Sequence, residues 1–114
     1  MRKVLGAAAA TALAVGVAGT AVASAPPVKH AKVDVDGYTF TPGTLHIKRG
    51  TKVVWKWVDG NDLKHNIYVL HGPSRFHSRT MSSGSFSHLF NRPGKYVLYC
   101  RLHPDIMRET VIVK

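Results

Sequence analysis

Apolar and polar residues alternate in short runs along most of the chain after residue 32. The clearest runs cover residues 52–58, where Val53, Trp55 and Trp57 would share one face of a strand, and residues 95–101. Glycine, proline and aspartate separate these runs, and no run keeps the spacing of an amphipathic helix. The pattern therefore predicts an all-β fold, an antiparallel sandwich of about seven short strands.

The first part of the chain has a different composition. Arg2 and Lys3 precede an uncharged run rich in alanine, valine and glycine, and small residues then offer cleavage sites after Ala23 or Ala25. This order is typical of a secretory signal peptide, and a retained membrane anchor is the alternative. The interpretation divides the chain into a signal peptide at residues 1–23, a flexible lead-in at residues 24–32 and one folded domain at residues 33–114.

The charge is strongly positive, with 16 lysines and arginines against 6 acidic residues. Loss of Arg2 and Lys3 with the signal peptide would lower the formal net charge from +10 to +8. Such a surface favours acidic partners or an anionic envelope surface, although a plainly solvated cationic surface would look the same. Nothing in the sequence indicates nucleic-acid binding. The expected location is periplasmic, extracellular or at the cell envelope.

The chain contains one cysteine, so no internal disulfide can form. In an exported protein such a residue is a free thiol, an intermolecular link or a metal ligand. Cys100 is followed by His103 and Met107, and His65 is the best candidate for a second imidazole. Thiolate, imidazole and thioether together suit a copper ion that cycles between two oxidation states. The spacing predicts one copper bound by His65, Cys100 and His103, with Met107 as a weak axial ligand.

Several motifs in a fixed order extend this hypothesis across the folded domain. From Phe40 to Val113 the chain resembles the cupredoxins, in particular the plastocyanin, amicyanin and pseudoazurin group. The resemblance lies in Phe40-x-Pro42, Gly50 before a Val/Trp strand, His65-Asn66, Phe76 and Ser78 before Gly84-x-Phe86, and Phe90-x-x-Pro93-Gly94-x-Tyr96-x-x-Tyr99-Cys100-x-x-His103-Pro104. It implies a Greek-key β-sandwich of about seven to eight strands.

The resemblance also implies roles for particular residues. It implies copper ligands at His65, Cys100, His103 and Met107, and it implies that Asn66 ties the strand of His65 to the surroundings of the cysteine. The ring edge of His103 would be partly exposed as the port for electrons. Apolar neighbours of this histidine would form the docking patch for a partner, namely Leu102, Pro104 and Ile106.

One spacing departs from the family pattern. Three residues separate His103 from Met107, a gap that is shorter in amicyanin-like and longer in plastocyanin-like proteins, and Arg108-Glu109 stand where a glycine is usual. Met107 could therefore sit at an unusual distance or leave the copper three-coordinate.

These observations favour an exported, monomeric blue-copper protein that carries single electrons between redox proteins and is not an enzyme. One alternative is a copper-binding or delivery protein that uses the same ligands. Another is a copper-dependent oxidase accessory with an open coordination position, and a metal-free cationic adhesion module would leave Cys100 unexplained. Fold-level likeness alone does not decide among them.

Overall fold

The computed structural model describes residues 27–114, so the predicted signal peptide at residues 1–23 lies outside the described residues. Within this part no helix is long and apolar enough to cross a membrane. The described residues form eight strands: β1 (Lys29–Asp36), β2 (Thr39–Thr41), β3 (Thr44–Ile47), β4 (Thr51–Trp57), β5 (Tyr68–His71), β6 (Ser85–Phe90), β7 (Gly94–Tyr99) and β8 (Arg108–Val113). The all-β prediction is confirmed. β1 begins at Lys29, so residues 29–32 of the expected lead-in belong to a strand.

The strands form two sheets of four, in the orders β2-β1-β4-β6 and β3-β8-β7-β5. Both sheets are mixed rather than purely antiparallel as expected, because β1 runs parallel to β4 and β3 runs parallel to β8. The reason is that β2 and β3, although adjacent in the sequence, belong to different sheets. The chain thus passes through the second sheet before β4 returns beside β1. Alternation along a strand shows which face is buried, but it does not show which strand is the neighbour.

The core lies between the two sheets and is filled by the alternating apolar positions. On β4, Val53, Trp55 and Trp57 all face this core, as the pattern predicts. The centroid of the Trp55 indole ring lies 5.7 Å from the ring centroid of Phe86 and 6.2 Å from that of Phe90. Each large side chain buried in this way contributes about 1.5–3 kcal/mol relative to an exposed position. The two sheets are therefore held together independently of any metal.

A buried carboxyl group also connects the sheets. Glu109 of β8 is only 1% exposed, and its Oε1 accepts a hydrogen bond of 2.8 Å from the indole nitrogen of Trp55 on β4. Burial raises the pKa of Glu109 to about 8, and the Trp55 hydrogen bond opposes part of that rise. The carboxyl is therefore mainly protonated at neutral pH, so the core does not hold an unpaired charge.

Candidate metal centre

The loop between β7 and β8 is closed by its own backbone. The amide of Cys100 donates to the carbonyl of Met107 at 3.0 Å, at the point where the two strands diverge. Within the loop, the amides of His103 and Met107 donate to the carbonyls of Cys100 and His103 at 3.2 and 3.0 Å. These bonds fix the relative positions of the three residues before any ligand binds.

The second segment of the site comes from the middle of the chain. His65 forms an isolated bridge with Met81, with amide-to-carbonyl hydrogen bonds of 2.9 Å in both directions. This bridge holds the imidazole of His65 at the same end of the sandwich as the β7–β8 loop. One ligand atom each of His65, Cys100 and His103 lies within 4.8 Å of the others. These three side chains could hold one metal ion, as the sequence predicts for one copper.

Backbone hydrogen bonds hold Met107 in the same loop as Cys100 and His103. Its side chain is fully buried, and its amide and carbonyl are both bonded within the loop. The sequence hypothesis that it is an axial ligand stays a prediction.

The electrostatics of the cluster suit a metal. Both ring nitrogens of His65 are buried without a hydrogen-bond partner in the described part of the chain, which is costly for an imidazole with no ligand. Burial lowers the pKa of His65 and His103 lowers it further, while Asp59 and a weaker interaction with the Gly37 backbone act in the opposite direction. The ring is thus held in its neutral form, which is the form that binds metals. The residues present therefore fit a copper ion.

Asn66 connects the two segments of the site. Its amide lies 3.4 Å from the sulfur of Cys100, its Oδ1 accepts from the amide of Arg101 at 2.8 Å, and its Nδ2 donates to Thr80 at 2.9 Å. The implied role of Asn66 in tying the strand of His65 to the cysteine is confirmed. A hydrogen bond to a thiolate sulfur stabilises the deprotonated form and tunes a bound metal.

The outer surface of the site is partly apolar. His103 is half-buried, and the neighbouring side chains of Leu102 and Ile106 are 49% and 65% exposed. Tyr38 meets the ring of His103 edge-on, with a centroid distance of 4.7 Å, and approaches His65 at 6.1 Å.

Tyr38 is not among the residues that the sequence predicts for this site. The residue lies in the turn between β1 and β2, where Gly37 has a φ of 60°. The amide of Gly37 donates to Asp59 at 2.9 Å, which brings this turn against the segment after β4. Alternation along the chain carries no signal for such an approach.

A β-sandwich with a buried cysteine and two histidines at one end defines a copper-binding domain of the cupredoxin class. The family model of copper binding proteins, plastocyanin/azurin family, matches residues 28–114. The chain belongs to this family, and the resemblance stated from the motifs is confirmed.

The chain is also similar to solved structures. An oxidised proline-to-glycine variant of amicyanin is 25% identical with a TM-score of 0.62, over 73% of this chain and 80% of that chain. A reduced proline-to-phenylalanine variant of amicyanin is 26% identical with a TM-score of 0.63, over 82% and 89%. The copper-containing nitrite reductase of Thermus scotoductus SA-01 is 28% identical with a TM-score of 0.70, over 90% of this chain but only 25% of that chain. No curated protein sequence matches the chain.

Proposed function

We propose that the chain is an exported copper protein that carries single electrons between redox partners and does not act as an enzyme. The observation that carries this proposal is the cluster of buried His65 and Cys100 with half-buried His103, whose ligand atoms lie within 4.8 Å of one another. Likeness to amicyanin over most of both chains supports it. Copper bound there would supply reversible one-electron exchange.

The surroundings of the cluster favour a carrier because they hold the ligands rigidly. Cys100 and His103 lie on a loop closed by backbone hydrogen bonds, and His65 is fixed by its bridge with Met81. Cys100 and His65 are fully buried, so water has little access to the metal position. A site that changes little between two oxidation states needs little reorganisation, which is what fast electron exchange requires.

Met107 is proposed as a weak axial ligand. Its burial and its backbone bonds to Cys100 and His103 support this role. A thioether is a soft ligand that favours the reduced metal, so its contact with copper would raise the reduction potential.

The exposed side of His103 is the proposed port for electrons. Leu102 and Ile106 beside it can be covered by a partner without desolvating charge, and a small interface of this kind suits transient docking. The formal net charge, which is +8 without Arg2 and Lys3, favours an acidic partner. The protein itself is proposed to act as a monomer.

Export is proposed from the signal-like composition of residues 1–23. The single cysteine agrees with it, because a bound metal would protect a thiol in an oxidising compartment. Cleavage after Ala23 predicts that the secreted protein begins at Ser24. N-terminal sequencing of protein recovered outside the cytoplasm checks this expectation, and recovery of an intact Met1 in that fraction would refute cleavage.

The proposed function is tested by adding Cu(II) to the metal-free protein and recording visible spectra and voltammograms. We expect one equivalent of copper to give intense visible absorption and a reversible one-electron wave, both lost in Cys100→Ala. The matched control is His46→Gln, which removes an exposed imidazole on β3 and should change neither signal. A colourless copper complex, or a spectrum that changes on adding nitrite or azide, would contradict an electron carrier.

A further inference from the structure

A groove with a volume of about 420 Å³ is formed by the start of β5, residues 75–77 and the β7–β8 loop, and none of the three clustered side chains of the metal centre lines it. Its volume is in the range of sites that take small organic ligands. Cationic, aromatic and aliphatic side chains line it and none is acidic: Tyr68, Val69, Arg75, Phe76, His77 and Arg101. The lining therefore combines positive charge with apolar surface.

Arg101 is held flat on one wall of this groove. Its guanidinium carbon lies 3.8 Å from the centroid of the Tyr68 ring. The Tyr68 ring is also stacked on the ring of His77, at 4.8 Å and an interplanar angle of 6°. Among residues 27–114 the guanidinium has neither an ion pair nor a hydrogen bond, so its N–H groups are free for a ligand. Stacking lowers the entropy that this long side chain would lose on binding.

Arg75 is fixed in a different way. Its Nη1 donates to the carbonyl of Val69 at 3.1 Å, with a longer contact of 3.5 Å to the carbonyl of Leu70. No carboxylate of the described residues lies within 4.0 Å of this guanidinium. The other N–H groups of Arg75 remain available, so the groove offers two pre-positioned guanidinium groups with no anion to neutralise them.

We propose that this groove binds a small organic carboxylate with an apolar body. A planar guanidinium fork matches a carboxylate in geometry as well as in charge. The partly buried ring of Phe76, with the small exposed part of Val69, supplies the apolar wall that the body of such a ligand would cover. An inorganic anion would meet the guanidinium groups but leave this wall exposed to water, so the groove fits the organic acid better.

The groove adjoins the metal centre, but none of the predicted copper ligands lines it. Arg101 directly follows Cys100, and its amide is bonded to Asn66, whose own amide contacts the cysteine sulfur. Binding of the carboxylate does not require copper. The affinity for the carboxylate is therefore expected to be the same in the metal-free and in the reduced, copper-loaded protein. If the protein does not bind copper, carboxylate binding in the groove is still expected.

The test is a titration of both protein forms with benzoate and with acetate, followed by backbone amide chemical shifts. We expect saturable shifts at Tyr68, Phe76, His77 and Arg101, with benzoate binding at least about threefold more tightly than acetate because of its apolar body. Arg101→Gln and Arg75→Gln should each weaken benzoate binding roughly tenfold. Arg101→Lys, which keeps the charge but loses the planar fork, should also weaken it by several-fold.

The matched control is Arg49→Gln, which removes an equal charge from an exposed position outside the groove. It should change benzoate affinity by less than about twofold, since only a screened long-range charge is lost. Shifts that do not saturate, or an equal effect of Arg49→Gln and Arg101→Gln, would overturn the proposal. A glutamate-containing peptide that bound about tenfold more tightly than benzoate would also overturn it, because the groove would then fit a protein segment rather than a small molecule.

Discussion

Replacing Asn66 by alanine removes the side chain that joins the two halves of the metal centre. The amide group accepts from the Arg101 N–H at 2.8 Å and donates to Thr80 at 2.9 Å, and the residue is only 4% exposed. Each hydrogen bond contributes about 1 kcal/mol net, and leaving the partly buried N–H of Arg101 unpaired adds up to about 1 kcal/mol. We therefore expect Asn66→Ala to lower the free energy of unfolding by about 2–3 kcal/mol.

The effect on copper should differ from the effect of losing a ligand. The backbone amide of residue 66, which lies 3.4 Å from the Cys100 sulfur, is kept in the alanine variant. The copper-loaded variant should therefore remain coloured, while its copper affinity falls by roughly 10–100-fold, as is usual when a group that orients a metal ligand is removed.

The assay is urea unfolding of the metal-free protein, followed by tryptophan fluorescence, with copper affinity measured by competition. The matched control is Thr80→Val, which removes only the bond to the Asn66 Nδ2. Because Thr80 is exposed, water can replace the lost partner and the cost should stay below about 1 kcal/mol. If Asn66→Ala destabilises the protein no more than Thr80→Val, the bond to Arg101 does not hold the loop and the reasoning is wrong.

Two further predictions concern the core and the pH dependence of stability. Glu109→Ala leaves the buried indole N–H of Trp55 without an acceptor and opens a cavity, so unfolding measurements should show a loss of about 2–4 kcal/mol, whereas Glu109→Gln keeps the acceptor and should cost less than about 1 kcal/mol. Equal losses in both variants would show that the hydrogen bond is unimportant. Burial lowers the pKa of His88, whose ring is stacked 3.7 Å from that of Phe76, so the contribution of His88 to stability should fall as the pH drops through the ordinary value of 6.5, whereas the raised pKa of Glu109 acts in the opposite direction. The urea midpoint of His88→Gln should therefore rise relative to that of the wild type when the pH is lowered from about 7 to about 5, because Glu109 is common to both proteins, and the exposed control His46→Gln should show no such change; a difference between wild type and His88→Gln that is the same at both pH values would refute the assignment.

The sequence predicts those parts of the fold and site that depend on local spacing. Alternation places Trp55 and Trp57 on the inner face of β4, and both are buried. Cys100 and His103 are close in the sequence and fall on one loop, so their proximity requires no knowledge of the topology. Ligand chemistry and the cupredoxin resemblance predict the approach of His65, and the structure brings it to the cluster.

Features that depend on distant contacts were not predicted. Tyr38 reaches His103 because the amide of Gly37 is bonded to Asp59, a residue 22 positions away. Glu109 follows the same alternation as the buried valines of β8. Its carboxyl group can be buried because it accepts a hydrogen bond from Trp55, which is 54 positions away. A period of two shows which face a side chain occupies and contains no information about the partner it meets there.

The central claim is that one copper ion is bound jointly by His65, Cys100 and His103. X-ray absorption at the copper edge, on protein loaded with one equivalent of copper, tests it most directly. The account predicts scattering from one short copper–sulfur bond and two imidazole rings, with one imidazole lost in His65→Gln and none lost in His46→Gln. A first shell of oxygen atoms without sulfur, or an unchanged imidazole contribution in His65→Gln, would contradict the account.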